Sequence, residues 1–587
     1  MDTSSAESRD RLRQAIDDEI NSSEESTRAL KSRHNALALI SRLPPETLAA
    51  IFSVLPSSTW NMEWIRVTHV CRRWRETALN HPRLWSYVNF TKLKPAAAAE
   101  ILARAKMVPL HLEVDLTTWK ILYPLAFEGQ LEAHISRIRH LSITGALEPS
   151  LDRPVSSAPN LEFLTLLHRF YPYTSQVVIP INLFNCTTPR LTSLELENCD
   201  ISWKSHLLKG LRTLKILNPS KVARPKLGDW LDALNEMPQL ETLILQDATP
   251  LAPRSAPLML EPSRTVTLPF LTRFRIFASA KDCALALAHL VLPVLGWLCV
   301  GAESHDEEGE DVRLVIPYVA RNIDGLQDTE PFRSLLISGE RARAKFFAWT
   351  MPDVDLNFCN RDTLYNVSFP ARLTFAATCR HWNRGVDTAI FDSLLMHLPV
   401  NSVSTLATQE RTRLSKEFWH SHAPRWPLLE RARLVPTAIK AFRDVLVEDA
   451  APDGPRFSLL TKLDLLDVTL TALRTFHLRD MLMERVEQGV PLEVLDLSAC
   501  VAADRAVQLL REVVVDVQEP LAAEAMPTDE TAFSNWDGGV GYVDEVEYDD
   551  KPWYDDTDED EDEDDDEVEY DQFMFMDYDY DNDYDIY

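Results

Sequence analysis

The sequence predicts an α+β, or α/β repeat, protein in three parts: a small N-terminal helical module, an irregular array of strand-plus-return units, and a disordered acidic tail. Three observations carry this. Apolar residues recur at helical spacing from Leu43 to about Leu79. From Ile138 onward the pattern Leu-x-x-Leu-x-Leu returns again and again. From Asp544 to Tyr587 there are 24 acidic residues and one base, Lys551.

The chain's 587 residues allow three or four domains at roughly 150 residues each, and 45% hydrophobic content is ample for their cores. The net charge is −30, of which the tail holds −23, leaving −7 for the first 543 residues. A pI near 4.9 argues against a nucleic-acid binder that works by neutralising phosphates. The eight cysteines are far apart with no CxxC, which points to a reducing compartment, cytoplasmic or nuclear, and away from a disulfide scaffold or zinc ribbon. No apolar core suited to secretion lies in the first twenty residues, so Asn89, Asn185 and Asn366 are read as chance matches to a glycosylation motif. Cys283 to Val300 has no formal charge, but His289, Pro293 and Gly296 interrupt it. It reads as a helix-like half and a strand-like half, both buried, and no membrane association is expected.

Residues 1–40 are polar, with Leu12, Ile16 and Ile20 on one stripe of a solvated helix or short coiled segment. Leu43-Pro44-Pro45-Glu46 starts the next helix. Proline is tolerated in a first turn, whose N–H groups lack partners, and Glu46 suits the positive helix end. Leu48, Ile51, Phe52 and Leu55 then form an i, i+3, i+4, i+7 stripe. A second helix is expected from Trp64 to Leu79, and an alternating strand over Leu84–Val88. Such a module (residues 41–90) buries little by itself and needs a partner or a covering domain.

The leucine pattern begins at 138, 161, 191, 211, 240, 271 and 295, more weakly at 332, and again at 460 and 492. Leu191 to Ile201 is the fullest match to a leucine-rich repeat. Each unit buries its apolar face only when a neighbour stacks on it, which predicts an irregular leucine-rich-repeat solenoid over 91–345 and 456–525. Between them, 346–455 reads as a mainly helical insertion, with helices over Ala371–Trp382 and Ala389–Leu398. From 526 to 587 dense like charge opposes collapse.

No catalytic constellation is found: GxGxxG after a strand, GxxxxGK[ST], HExxH and GxSxG are all missing, and no cofactor or metal is expected. His420 and His422 read as ordinary loop histidines rather than metal ligands. Cys379 with His381, and Cys359, read as structural rather than nucleophilic. Asp306 to Asp311 lacks the alternation of a calcium loop and reads as a solvated turn.

Leu43-Pro44-Pro45-Glu46, Leu48, Ile51-Phe52, Leu55, Val70-Cys71-Arg72-Arg73-Trp74, Pro82 and Leu84-Trp85 together resemble an F-box. The segment Pro109–Leu116 and the irregular leucine array beyond it are similar to fungal F-box proteins with leucine-rich repeats. The link between the helices departs from the family pattern in carrying Trp60 and Trp64. The resemblance implies contacts to a Skp-type adaptor, and through it a cullin, from Leu43, Pro44, Glu46, Leu48, Ile51, Phe52, Leu55, Val70 and Trp74. In a small helical domain the same residues also serve as core. The expected function is that of a non-enzymatic substrate receptor of a Skp–cullin–F-box ubiquitin ligase, holding an unidentified target on its repeat surface. The alternative is a scaffold whose acidic, tyrosine-rich tail binds basic proteins.

Overall fold

The computed structural model describes residues 3–58, 62–91, 93–117, 124–147, 156–169, 176–253, 262–324, 331–340, 343–352, 354, 371–379, 385–410, 412–447 and 455–519. Residues Met1–Thr528 form one unit and Asp529–Tyr587 a second, so the acidic tail lies outside the described residues.

Helix α1 (Thr3–Ala36) precedes a compact module of α2 (Pro45–Ser58), a 3₁₀ run Met62–His69 and α3 (Arg72–Leu79). The helix expected over 64–79 is thus two segments broken at Val70–Cys71. The strand expected over 84–88 begins as a 3₁₀ turn, Pro82–Trp85. Strand β1 (Tyr87–Asn89) follows directly and is the first of a 17-stranded sheet. With α4 (Pro95–Arg104) between them, β2 is Leu110–Asp115. In chain order come β3 (Ile138–Gly145), β4 (Phe163–His168), β5 (Val177–Val178), β6 (Ser193–Glu197), β7 (Cys199–Asp200), β8 (Thr213–Leu217) and β9 (Thr242–Gln246). Then come β10 (Val266–Thr267), β11 (Arg273–Ser279), β12 (Leu290–Val291), β13 (Trp297–Glu303), β14 (Ser334–Glu340), β15 (Arg343–Trp349) and β16 (Leu373–Thr378). The last are β17 (Thr405–Glu410), β18 (Arg431–Leu434), β19 (Lys462–Leu470), β20 (Val494–Ala502) and β21 (Asp516–Gln518). The short pairs β5–β7 and β10–β12 stand apart as two-stranded sheets.

One row of side chains crosses all seventeen strands. By register it is Val88, Leu112, Leu141, Leu164, Leu194, Leu214, Leu243, Phe274, Leu298, Leu373, Ala348, Leu335, Leu406, Ala432, Leu463, Leu495 and Val517. None of these is more than 6% exposed. Every leucine motif found in the sequence lies on a strand of this sheet, its second apolar position in this row and its third two residues on, pointing to the same face. Crossing helices such as Leu227–Asn235 and Ala280–Ala288 bury their apolar residues in the same unit. After β6, β8 and β9 the chain turns through a left-handed residue, Asn198 (φ 52°), Asn218 (φ 50°) and Asp247 (φ 54°), types that tolerate this conformation.

The expected leucine-rich-repeat solenoid is corrected: the chain builds a large mixed α/β sheet. The strands run parallel except where β15 pairs antiparallel with both β14 and β16, so the order there is β13-β16-β15-β14-β17. These central strands also break the one-sided rule of stacked repeats. Leu336, Phe347, Trp349, Ala371 and Ala407 form a second buried cluster with Val354 packed against it. Met351 and Pro352 cross over it, their carbonyls accepting from Ser334 Oγ (2.7 and 2.9 Å) and that of Pro352 also from Thr405 Oγ1 (2.8 Å). Among the described residues, 346–455 carries strands β16, β17 and β18 and the end of β15 beside the helices Val386–His397, Lys416–His422 and Pro436–Val447. Ala371–Trp382, expected as helix, contains β16, while Val386–His397 is helical as expected. The uncharged stretch from Cys283 divides as expected into the helix Ala280–Ala288 and strand β13, and no described helix is long and apolar enough to cross a membrane.

A recurrent clamp ties successive units together. Arg73, Arg137, Arg321, Arg425 and Arg485 each reach back about thirty residues to backbone carbonyls: Ser41 and Leu43, Leu102 and Lys106, Leu287 and Leu290, Leu395 and Leu398, Phe457 and Leu460. Four of the five target the end of a helix or 3₁₀ turn, where carbonyls lack intrahelical partners and a cation is favoured. Arg485 is 1% exposed, and burial pushes its pKa down to about 10. Arg485→Met should keep the volume but strand those carbonyls, at a cost of about 2–4 kcal/mol. Thermal melting beside wild type checks this, and an unchanged midpoint would refute the clamp.

On the opposite face of the sheet, next to the N-terminal module, Tyr87, His111, His140 and Phe163 stack in one row at 4.3, 4.0 and 3.9 Å. Burial, with smaller contributions from Arg139 and, for His111, its neighbour His140, pulls both histidines down to about 4. The unfolded chain takes up these protons near the ordinary value of 6.5, the folded chain only near 4. The row's contribution is thus full above 6.5 and is lost as pH falls toward 4. The His111→Gln, His140→Gln variant should lose less melting temperature than wild type between neutral pH and pH of about 5.

Candidate adaptor-binding surface

The N-terminal module divides its apolar residues between two jobs. Leu48 and Phe52, four apart on α2, are each 1% exposed, and the Phe52 ring lies 5.0 Å from that of half-buried Trp74 on α3. Trp64 sits edge-on to Trp85 at 5.0 Å. Trp85 in turn donates its Nε1–H to Ala78 O (2.8 Å) and carries the Arg104 guanidinium 4.6 Å above its ring. Trp64, a departure from the family pattern, is thus a core residue; Trp60 lies outside the described residues.

The other apolar face of α2 is open. Ile51, Val54 and Leu55 are 47%, 64% and 36% exposed, and Val70, in the turn before α3, is 57% exposed. Pro44 and Glu46 at the start of α2 are exposed, while Leu43 is half-buried with its carbonyl held by Arg73. Of the nine residues expected to contact an adaptor, Pro44, Glu46, Ile51, Leu55 and Val70 face outward. Leu48 and Phe52 are module core, and Leu43 and Trp74 lie between. Sequence reasoning missed Val54, and with it Leu39 (75% exposed) and Ile40 (41% exposed) ahead of α2. Their signal was available: Ile51 and Val54, three apart, repeat as helix neighbours on a second stripe. A helix with apolar residues on both faces has one face for its own core and one for something else.

The module is fused to the sheet without a spacer. Ser86, between Trp85 and β1, accepts from the His111 N–H of β2 (2.9 Å), and Trp85 bridges Trp64 of the module to Arg104 of α4. Ser53 accepts at Oγ from His81 Nε2 (3.0 Å), since its own hydroxyl donates to Ala49 O (2.8 Å). Burial, aided by Arg83, holds the His81 pKa below its ordinary value.

The other residues weighed as chemical are structural where described. His420 and His422 lie on the helix Lys416–His422, not on a loop. His422 is fully buried against Asp392 (2.8 Å) and beside Phe418 and Trp426, and His420 meets Arg456. Cys379 is buried, while His381 and Cys359 lie outside the described residues. Asp311 is buried and accepts from Ser304 Oγ (2.7 Å) and the His305 N–H (3.0 Å), so the acidic turn is partly internal rather than solvated. Among the described residues no three His, Cys, Asp or Glu side chains are grouped to hold a metal.

This module coincides with a known family: residues 40–91 match the family described as F-box-like, and no curated protein matches the chain. The chain thus carries an F-box-like domain at residues 40–91, a domain that implies binding of a Skp-type adaptor.

Proposed function

We propose that the chain is a non-enzymatic substrate receptor of a Skp–cullin–F-box type ubiquitin ligase, working in the cytoplasm or nucleus. The observation that supports this most is the open apolar face of α2 within the F-box-like segment: Ile51, Val54 and Leu55 in water on a helix already packed on its other side. On this reading that face is covered by the adaptor, and the sheet, joined to the module through Trp85 and β1, carries a target at a fixed distance from it. Such a receptor accelerates transfer by proximity, holding a target lysine near the charged conjugating enzyme. Co-purification of a Skp-type adaptor and a cullin with the full chain tests the reading; a chain that recovers neither refutes it.

The acidic tail is proposed to attract basic proteins. Dense charge between Asp555 and Glu569 acts within a Debye length of about 8 Å at physiological salt, so such binding should weaken steeply as salt rises. A chain ending at Val543 is expected to lose salt-sensitive histone binding and keep the adaptor. Equal histone binding by both forms would remove this role.

A further inference from the structure

We propose that α1 is an antiparallel dimerisation helix whose partner is a second copy of this chain. The helix spans 34 residues, and from Arg11 to Ala36 every residue on it is exposed. Helices in water draw most of their stability from packing, and the middle of this one, Asn21-Ser22-Ser23, has poor intrinsic propensity. Its apolar residues are nevertheless ordered. At about 100° per residue, Leu12, Ile16, Ile20 and Leu30 all fall within about 80° of arc, and they are 64%, 50%, 51% and 64% exposed. Ser23 and Thr27 complete the same stripe at its centre. The Thr27 hydroxyl is already bonded to Ser23 O (3.0 Å), so this polar centre needs no partner for that group.

The centre of the stripe, Ile20, Ser23, Thr27 and Leu30, is symmetric about residue 25, and this identifies the occupant. Set two copies antiparallel so that facing positions are placed symmetrically about residue 25. Ile20 then meets Leu30, Ile16 meets His34 and Ser23 meets Thr27, each pair occurring twice by the two-fold axis. The same register brings Asp17 beside Lys31 on one flank of the seam and Glu19 beside Arg33 on the other, while Glu24 and Arg28 are already paired within the helix at 2.6 Å. A parallel in-register pair would instead set Glu19 beside Glu24 of the other copy and leave Lys31 and Arg33 facing Ser26 and Ala38. The charge pattern therefore selects the antiparallel pair of this chain with itself. In that pair Ala36 lies opposite Gln14, which holds the two F-box modules about 33 Å apart along the helix axis and would make the receptor bivalent. Pairing through α1 does not depend on adaptor binding.

The test is the mass of the purified full chain by light scattering. Wild type is expected at twice 66.9 kDa. Asp17→Lys with Glu19→Lys, and separately Lys31→Glu with Arg33→Glu, oppose like charges and should each be monomeric. Mixing the two variants should restore a one-to-one dimer, and combining all four changes in one chain should restore the homodimer. A monomeric wild type, dimers that persist in both paired variants, or a fourfold variant that pairs with wild type rather than with itself would overturn the proposal. Circular dichroism of the monomeric variants, which should lose helix only to the extent of α1, separates failed pairing from failed folding.

Discussion

Ile51→Asp combined with Val70→Asp is expected to weaken binding of a Skp-type adaptor by roughly two to three orders of magnitude while leaving the melting curve of the full chain unchanged. Both side chains are about half exposed, at 47% and 57%, so in the free protein a carboxylate at either position stays in water and costs little. In a complex it would have to be desolvated against an apolar surface with no cation to receive it. The loss of one buried anchor at an interface centre typically exceeds about 2 kcal/mol, and two such losses reach the stated range. Leu48→Asp makes the contrast. Leu48 is 1% exposed and shares the interior with Phe52 and Trp74, so this substitution should abolish adaptor binding by unfolding the module, with loss of its tryptophan packing. Titration of purified adaptor against the three proteins, with melting curves beside it, distinguishes the outcomes. Wild-type affinity in the Ile51, Val70 variant would mean that the open face of α2 serves another partner.

The difference between Leu48 and Ile51 shows how far the sequence could be read. Spacing placed both on one stripe, because i, i+3, i+4, i+7 describes an arc wide enough to include two faces of a helix packed on both sides. Only tertiary contacts divide Leu48 and Phe52, which turn inward, from Ile51, Val54 and Leu55, which do not. In the sheet the leucine motif located β3, β4, β6, β8, β9, β11, β13, β14, β19 and β20, since a strand buried on one face alternates and alternation survives in the sequence. It failed at β15 and β16. Phe346-Phe347-Ala348-Trp349 and Leu373-Thr-Phe-Ala-Ala-Thr378 belong to the part of the sheet with side chains buried on both faces, so alternation vanishes there, and an alanine-rich run reads as helix. The antiparallel order β16-β15-β14 that replaces the expected solenoid falls in the same stretch. The arginine clamps were invisible for another reason. Their partners are backbone carbonyls some thirty residues upstream, and a carbonyl leaves no mark on residue type.

Leu243→Asp should unfold the sheet rather than perturb it locally. Leu243 lies on β9 in the buried row, with Leu214 of β8 on one side and Phe274 of β11 on the other, and all three are 0% exposed. Removing a buried leucine costs about 3–5 kcal/mol through lost transfer energy and the cavity left behind, and an uncompensated carboxylate adds more. A domain's whole stability is about 5–15 kcal/mol, so the substitution consumes much or all of it. The effect should spread because neighbouring strands share that row and each covers the apolar edge of the next. Thr242→Asp is the internal comparison. Its side chain is one residue away, on the half-exposed opposite face, and should shift melting by no more than a surface change does, about 0.5 kcal/mol. The two variants differ by one position in the same strand, so their helix and strand propensities, net charge and distance from the F-box module are nearly the same. A large difference in melting between them can come only from which face of the sheet each residue occupies. Equal melting of the two variants would mean that the register linking β8, β9 and β11 is wrong.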